Sequence, residues 1–299
     1  MTLPIQHGAK ARIAPAGLLF LAVTSVTWGL NWPVMKHLLT EWPPLTSRGL
    51  AGLVGGGLLG LLALGRGEGL RVPAGQWPLL LVSSLLNVTL WMTLMGLALV
   101  RLSASEATVL AYTMPIWTSV MAWPILGERM TLKRVLALLM AFAGILALMG
   151  GDGFAASMAK LPGIVMILFG AMAFGLGTVV SKRAQRAIPI LSWSALQLCL
   201  GSIPVMLAGL IFEDARFDAL SGTGWAMLAY MGLVAFCIAY FCWFAALERL
   251  PASVAAIGTM VVPVIGVIAS AVTLHEPLGI GQIAALLFTL AGVVLATRS

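Results

Sequence analysis

Charged residues are scarce in this chain of 299 residues. Asp, Glu, Lys and Arg together make up 9% of it, whereas hydrophobic residues make up 61% and the mean hydropathy is +1.04. A surface exposed to water needs a far larger charged fraction, so this composition excludes a soluble globular domain and a disordered chain. It indicates a protein that is embedded in a lipid bilayer.

Residues that carry catalysis or bind metals are also few. The three cysteines, Cys199, Cys237 and Cys242, lie inside apolar runs without a second polar ligand nearby, which predicts neither a disulfide nor a metal site. The three histidines lie near the ends of apolar runs or in the N-terminal tail, and no HExxH, GxSxG or P-loop pattern occurs. We therefore expect no cofactor, no metal and no enzymatic activity.

One segment of the chain is repeated. Residues 101–128 (RLSASEATVLAYTMPIWTSVMAWPILGE) recur without a gap as residues 249–276 (RLPASVAAIGTMVVPVIGVIASAVTLHE). The residues in register include Arg101/Arg249, Ala104/Ala252, Pro115/Pro263 and Glu128/Glu276. The repeat predicts two copies of one unit, residues 1–152 and residues 153–299.

Apolar runs of membrane-spanning length follow one another along the chain. A helix needs about 20 apolar residues to cross about 30 Å of hydrocarbon, and the runs here are separated by charges, Pro and Gly at that spacing. The predicted fold is an all-α polytopic membrane protein with ten transmembrane helices. The predicted spans are 17–36, 46–64, 77–100, 103–126, 132–150, 161–182, 190–212, 223–247, 251–274 and 278–297.

The basic residues predict the orientation of these spans. Most of the 17 lysines and arginines fall on the cytoplasmic side if both termini are cytoplasmic. The net charge of +7 is explained in this way, so we do not expect nucleic acid as a partner. Five spans per copy is an odd number, which inverts the second copy relative to the first. A 5+5 inverted repeat can exchange conformations between its halves and so alternate access to a central cavity.

Several of these residues resemble a known family. WGLNW (28–32), the mid-span Pro115 and Pro263, and the terminal Glu128 and Glu276 resemble the drug/metabolite transporter superfamily of the EamA type. The resemblance covers essentially the whole chain and extends to the bacterial exporters of aromatic amino acids. It implies a transporter of a small-molecule substrate in the bacterial inner membrane. It also implies that the first, third, fourth, sixth, eighth and ninth helices surround a cavity, with the fifth and tenth aside.

The two prolines of the repeat are candidate site residues. Because proline has no N–H, the carbonyls near Ala111 and Thr259 lose their helical partners, and each helix bends at Pro115 or Pro263. Freed carbonyls at this depth are tolerated where they line a polar cavity, and there they can accept from a substrate ammonium. A packing kink is the alternative interpretation for either proline alone.

Polar and aromatic side chains form stripes with helical spacing on several spans. The candidate substrate-binding residues are Trp28, Asn31, Trp32, Asn87, Trp91, Tyr112, Phe174, Tyr240, Trp243 and Met260, together with Pro115 and Pro263. The alternative for tryptophan and tyrosine is the lipid interface, where both are enriched. A further stripe, formed by Gly52, Gly56 and Gly60, predicts helix packing.

The centres of the predicted spans hold no charged residue and no histidine, and Glu106 lies only near an outer end. Because a proton-coupled exporter is expected to hold a carboxylate at that depth, the sequence favours an uncoupled facilitator. Proton-coupled efflux of drugs, quaternary amines or other small metabolites is the alternative. An uncharged site lined by aromatic rings suits neutral amino acids, especially aromatic ones. We interpret Lys36 and Lys182 as interfacial anchors.

Overall fold

The structure is a computed structural model with the following described residues: 15–127, 131–150, 154–183, 187–247, 249–250 and 259–297. Those residues form helices and their connections without a strand, so the predicted all-α class is confirmed. Some sequence predictions concern the first fourteen residues, Glu128, residues 251–258 and the Lys182 side chain, which lie outside the described part.

Five helices cover the first half of the described chain. They are α1 (Pro15–Leu38), α2 (Pro44–Gly65), α3 (Ala74–Leu99), α4 (Ala104–Leu126) and α5 (Leu132–Gly150). Pro44 stands in the first turn of α2, where a missing N–H costs no helical hydrogen bond. Gly127 ends α4 with a φ of +71°, a left-handed conformation that favours glycine.

Five further helices cover the second half of the described residues. They are α6 (Phe154–Arg183), α7 (Ile190–Phe212), α8 (Gly222–Ala229, Tyr230–Ile238 and Ala239–Leu247), α9 (Val261–Leu274) and α10 (Ile280–Thr297). The helix α7 coincides with its predicted span of 190–212. The helix α6 begins earlier than its predicted start at residue 161.

The length and composition of the described helices fit a multi-pass membrane protein. Seven of them, α1 to α4 and α6 to α8, are long and apolar enough to cross a bilayer. Shorter apolar stretches lie in α5, α9 and α10, at Val135–Ala147, Val261–Leu274 and Ile280–Leu295. Ten spans in a 5+5 inverted arrangement stay a prediction.

Helices of the two halves pack in matching pairs. The helix α1 contacts α8 and α9, and α6, which holds the corresponding place in the second half, contacts α3 and α4. In addition, α2 packs along α7, and α5 packs along α10. If each helix is replaced by its counterpart five places along the chain, the contacts of α1 with α8 and α9 become those of α6 with α3 and α4. The pairs α2–α7 and α5–α10 are converted into themselves. Such a pattern is expected of two similar units related by a two-fold axis.

Glycines allow α2 to approach α7 closely. A Cβ atom placed on Gly52 would lie 2.1 Å from the Ser202 Oγ atom, and one placed on Gly56 would lie 2.6 Å from the Cys199 Sγ atom. The predicted packing ridge is confirmed at these two positions. At Gly60 the nearest atom would lie 3.8 Å away, so the third member of the ridge makes only an ordinary contact.

The helices α3, α4 and α8 are interrupted near their centres. Hydrogen bonding widens to the π-helical pattern at Leu85–Leu90 in α3 and at Tyr230–Ile238 in α8, and such segments are frequent at functional sites. In α4 the first helical segment ends at Ala111 and the second starts at Met114. Pro115 has no N–H for the Ala111 carbonyl, so the predicted bend takes the form of a short turn between two helical segments.

Carboxylates tie helix ends together where α1 finishes. Glu276, which follows α9, accepts hydrogen bonds from the N–H groups of Ala104 and Ser105 at 2.7 and 2.9 Å and from the Ser105 hydroxyl at 2.6 Å. Glu213, which follows α7, accepts from the N–H and hydroxyl of Thr46, both at 2.8 Å. Each carboxylate satisfies unpaired donors at a helix N-terminus and complements the helix dipole. Both contacts join one half of the chain to the other.

Candidate functional site

A cavity lies between α1, α2, α3, α4, α6 and α8. It holds about 670 Å³ of atom-free space, a figure that includes the open space at its mouth. The lining residues are Trp28, Asn31, Trp32, Met35, Arg48, Trp91, Met95, Tyr112, Met114, Phe174, Ala235, Phe236 and Tyr240. Both halves of the chain therefore contribute to one cavity.

Seven of the twelve predicted site residues lie on this lining: Trp28, Asn31, Trp32, Trp91, Tyr112, Phe174 and Tyr240. The stripe on α1 explains four lining positions. Trp28, Asn31, Trp32 and Met35 follow the spacing i, i+3, i+4 and i+7, which places their side chains on one face of a helix.

The aromatic walls of the cavity are held by contacts between helices. The Trp28 Nε1–H group donates a hydrogen bond to the Ala235 carbonyl at 3.0 Å, and the Trp28 ring meets the Tyr240 ring edge to face at 5.5 Å between centroids. On the opposite half, the Trp91 and Phe174 rings lie 5.1 Å apart. These pairs join α1 to α8 and α3 to α6, so the rings form fixed apolar surfaces.

The two prolines and Met260 line a neighbouring cavity between α4, α9 and α10. Tyr112 and Met114 border both cavities, whereas Pro115, Met260 and Pro263 border only this second one. The prolines of the repeat thus face each other across a space next to the aromatic cavity rather than inside it.

Asn87 and Trp243 are not among the residues that line either cavity. Asn87 lies on the π-helical segment of α3 against α6, where a Cβ atom on Gly177 would come within 2.0 Å of its Oδ1 atom. Trp243 packs behind the wall, with its ring 5.9 Å from the Trp28 ring. Both contribute to the packing around the site.

Arg48 is the site residue that sequence reasoning missed. Arg48 was not among the twelve predicted site residues, but its side chain is only 4% exposed and borders the cavity. The expectation of an uncharged site was therefore wrong. The sequence feature that could have indicated this position is the spacing between Arg48 and Gly52. Residues four apart lie on the same face of a helix, so Arg48 lies on the face of α2 that packs against other helices.

Two polar groups of the cavity lack hydrogen-bond partners. The Nε atom of Arg48 and the Oδ1 atom of Asn31 are both buried, and neither makes a hydrogen bond within the described part of the chain. The Nη1 atom of Arg48 lies against the Met35 sulfur, which is a weak acceptor. The cavity therefore presents one cationic donor and one amide among apolar rings.

Lys36 does not act as a free interfacial anchor. Its Nζ atom donates to the carbonyls of Leu99 and Leu102 at 2.6 and 2.8 Å, at the end of α3. A cation at a helix C-terminus pairs favourably with the unbonded carbonyls there. The lysine thus links α1 to α3.

No metal centre is formed by the part of the chain that the structure describes, since it brings no three residues of the His, Cys, Asp and Glu types together. The described residues of the cavity lining include no Asp, Glu or His either.

One family model and several curated relatives match this chain. The EamA-like transporter family matches residues 15–150 and again residues 161–298. The Uncharacterized transporter YvbV of Bacillus subtilis (strain 168) is 33% identical over 93% of this chain and 90% of its own length. The Probable amino-acid metabolite efflux pump of Salmonella typhimurium is 26% identical over 93% of each chain.

A solved structure described as "Crystal structure of protein" superimposes with a TM-score of 0.67. It is 22% identical in sequence, and the alignment covers 96% of this chain and 98% of the other. At this identity the likeness shows a shared fold.

Proposed function

Since the chain belongs to the EamA-like transporter family, we propose that it is a secondary transporter that exports small neutral metabolites, foremost aromatic and other neutral amino acids. The observation that carries this proposal is the cavity between the two halves, with aromatic walls and a few polar groups. Sites of this composition bind partly apolar solutes and orient them by their polar ends. The amino-acid metabolite efflux pump among the relatives supports the same substrate class.

The proposed mechanism is alternating access. Because both halves line the cavity, a change in how they pack would open it to one side of the membrane or to the other. The double family match and the matching helix pairs support two inverted five-helix units. We place both termini in the cytoplasm of a bacterium, at the inner membrane, from the distribution of lysine and arginine and from the bacterial relatives.

We further propose that transport is not coupled to protons. Proton relays in transporters are commonly built from carboxylates or histidines, and the described lining residues include neither. Glu106 is buried but engaged, since its Oε1 atom accepts from Lys160 at 2.6 Å and its Oε2 atom accepts from the Ser103 N–H at 2.9 Å. Proton-coupled efflux of quaternary amines is disfavoured by Arg48, whose charge repels a cation.

Efflux from proteoliposomes tests the proposed function. We expect radiolabelled phenylalanine, tyrosine and tryptophan to leave liposomes that contain the purified protein faster than they leave protein-free liposomes. Replacing Trp28 with alanine removes a ring from the wall, which at about 1.5 kcal/mol, the upper value for an aromatic contact, corresponds to a loss of about tenfold in efflux.

The matched control for Trp28→Ala is Trp123→Ala. The Trp123 side chain is 54% exposed, so its removal should leave efflux within about twofold of the parent. Equal losses in both variants would show that the cavity is not the transport site. Uphill accumulation driven by an imposed pH gradient would contradict the uncoupled mechanism.

A further inference from the structure

Arg48 is a buried cation without an anionic partner. No carboxylate of a described residue lies within ion-pair distance of its guanidinium group, and its Nη1 atom contacts the Met35 sulfur, a weak acceptor. Burying a charge is costly unless an opposite charge and hydrogen bonds compensate it. A position of this kind is explained if the compensating anion comes from outside the chain.

The cavity is where such an anion would reach Arg48. A planar guanidinium binds a carboxylate through two parallel hydrogen bonds, which makes arginine well suited to this ligand. Asn31 borders the same cavity with an unpaired amide oxygen, which can accept a hydrogen bond from an ammonium group. The rings of Trp28 and Tyr240 face the same space and suit an apolar side chain.

On the footing of the transport function proposed above, we infer that Arg48 binds the carboxylate of the transported solute. The substrate class is then narrowed to small carboxylates with an apolar body, and α-amino acids meet all three features of the lining. Amines and amides of the same size and shape lack the group that Arg48 recognises and bind weakly.

The competing explanation is that Arg48 only fills space. A Cβ atom on Gly96 would lie 3.0 Å from the Arg48 Cδ atom, so the aliphatic part of the arginine does pack against α3. A residue with a purely packing role affects all solutes alike when it is replaced. A carboxylate-binding residue affects only solutes that carry a carboxylate, so the two explanations differ in selectivity.

The experiment compares three probes that share one ring and one chain length. L-phenylalanine carries both charged groups, L-phenylalaninamide lacks the carboxylate, and 3-phenylpropionate lacks the ammonium. Binding to the purified full chain in nanodiscs is followed by the fluorescence of the cavity tryptophans, and transport is followed in proteoliposomes. We expect the parent protein to bind both carboxylates at least about tenfold more tightly than the amide.

Variants of Arg48 then assign this selectivity to the guanidinium. We expect Arg48→Gln to weaken both carboxylates about tenfold or more and to leave the amide within about threefold, whereas Arg48→Lys keeps part of the preference. Arg101→Gln is the matched control, because Arg101 is exposed on the surface of the same half and should behave as the parent.

Each outcome separates the inference from the proposed function. Phenylalanine transport with equal affinity for the amide would overturn the inference and leave amino-acid export standing. Selective carboxylate binding that Arg48→Gln abolishes, without transport of any amino acid, would support the inference and overturn amino-acid export. Equal weakening of all three probes by Arg48→Gln, or binding of none of them by the parent, would overturn the inference. If Arg48→Gln does not fold, the inference is tested by the parent protein alone, through its preference for the two carboxylates over the amide.

Discussion

The carboxylate of Glu276 ties two helix ends together, and we predict that removing its charge lets that end of the bundle open. In the structure it accepts three hydrogen bonds from Ala104 and Ser105, which tie α9 to the start of α4. In Glu276→Gln one oxygen and the charge are lost. Hydrogen bonds to charged groups contribute about 1.5–3 kcal/mol, against about 0.5–1.5 kcal/mol for neutral ones. Because Glu276 is partly exposed, we take a total loss of about 2 kcal/mol, from the low end of that range.

A loss of this size changes the balance between closed and open forms. At about 1.4 kcal/mol per tenfold, 2 kcal/mol shifts the equilibrium toward the form that is open at this end by about 30-fold. The shift can be measured by labelling a cysteine placed at Met114, which borders both cavities. The three native cysteines are first replaced by alanine, and a membrane-impermeant maleimide is applied from each side in turn. We expect Glu276→Gln to raise the labelling rate from one side only.

The matched control is Glu68→Gln at the opposite end of the bundle. Among the described residues, Glu68 accepts one hydrogen bond, from the Ser192 hydroxyl at 3.1 Å, and pairs at 3.8 Å with the exposed Arg66 side chain, a contact that contributes little. Its replacement should therefore have a smaller effect, and on labelling from the other side. Labelling of Glu276→Gln within about twofold of the parent on both sides would refute the idea that this carboxylate holds the end closed.

Two further predictions concern packing and pH. Gly52→Ala places a methyl group against Ser202 and should lower the free energy of unfolding by about 1–3 kcal/mol. Gly57→Ala, whose added Cβ atom meets no atom within 4 Å, should have little effect, and thermal unfolding in detergent compares the two variants. The pKa of Glu41, in the connection between α1 and α2, is lowered mainly by the hydrogen bond from the Ser221 N–H and then by that from the Ser221 hydroxyl. A carboxylate with a lowered folded-state pKa stabilises the protein above its unfolded pKa of about 4.3 and loses that contribution as the pH falls through the folded value. The parent should thus be more thermally stable than Glu41→Gln at neutral pH, and this difference should vanish at acid pH. An unchanged difference at acid pH would contradict the conclusion that the Glu41 carboxylate stabilises the protein.

Much of the helical architecture could be predicted from the sequence because its causes are local. The helix α7 lies between Pro189 and Glu213, and the apolar run between them is long enough to cross a bilayer. The early start of α6 was not predicted: the predicted span began at residue 161, whereas the helix begins at Phe154 and holds Pro162 inside it. Proline is tolerated inside membrane helices where other groups satisfy the freed backbone.

The candidate site could be predicted only in part. The stripe that begins at Trp28 was found because helical periodicity is written in the sequence itself. Asn87 and Trp91 are four residues apart, which predicts that they share one helix face. In the structure Asn87 lies against α6 instead, because the π-helical segment that contains it changes the directions of its side chains relative to those of the following α-helix. Arg48 was not predicted because its distance from the end of the predicted span does not tell on which face of α2 it lies.

By itself the sequence determined the membrane location, the helical class, the repeat and the aromatic face of α1. These features depend on composition, on the similarity of two segments or on the spacing of residues along one helix. All three can be read from the sequence without knowing which helices pack against each other. The tertiary structure alone decided which faces meet. It brought Arg48 into the cavity beside Asn31, placed Pro115 and Pro263 around a second space, and joined Glu276 to the start of α4. Contacts between residues far apart in the chain depend on how whole helices pack, and the sequence of any single helix carries little information about that packing.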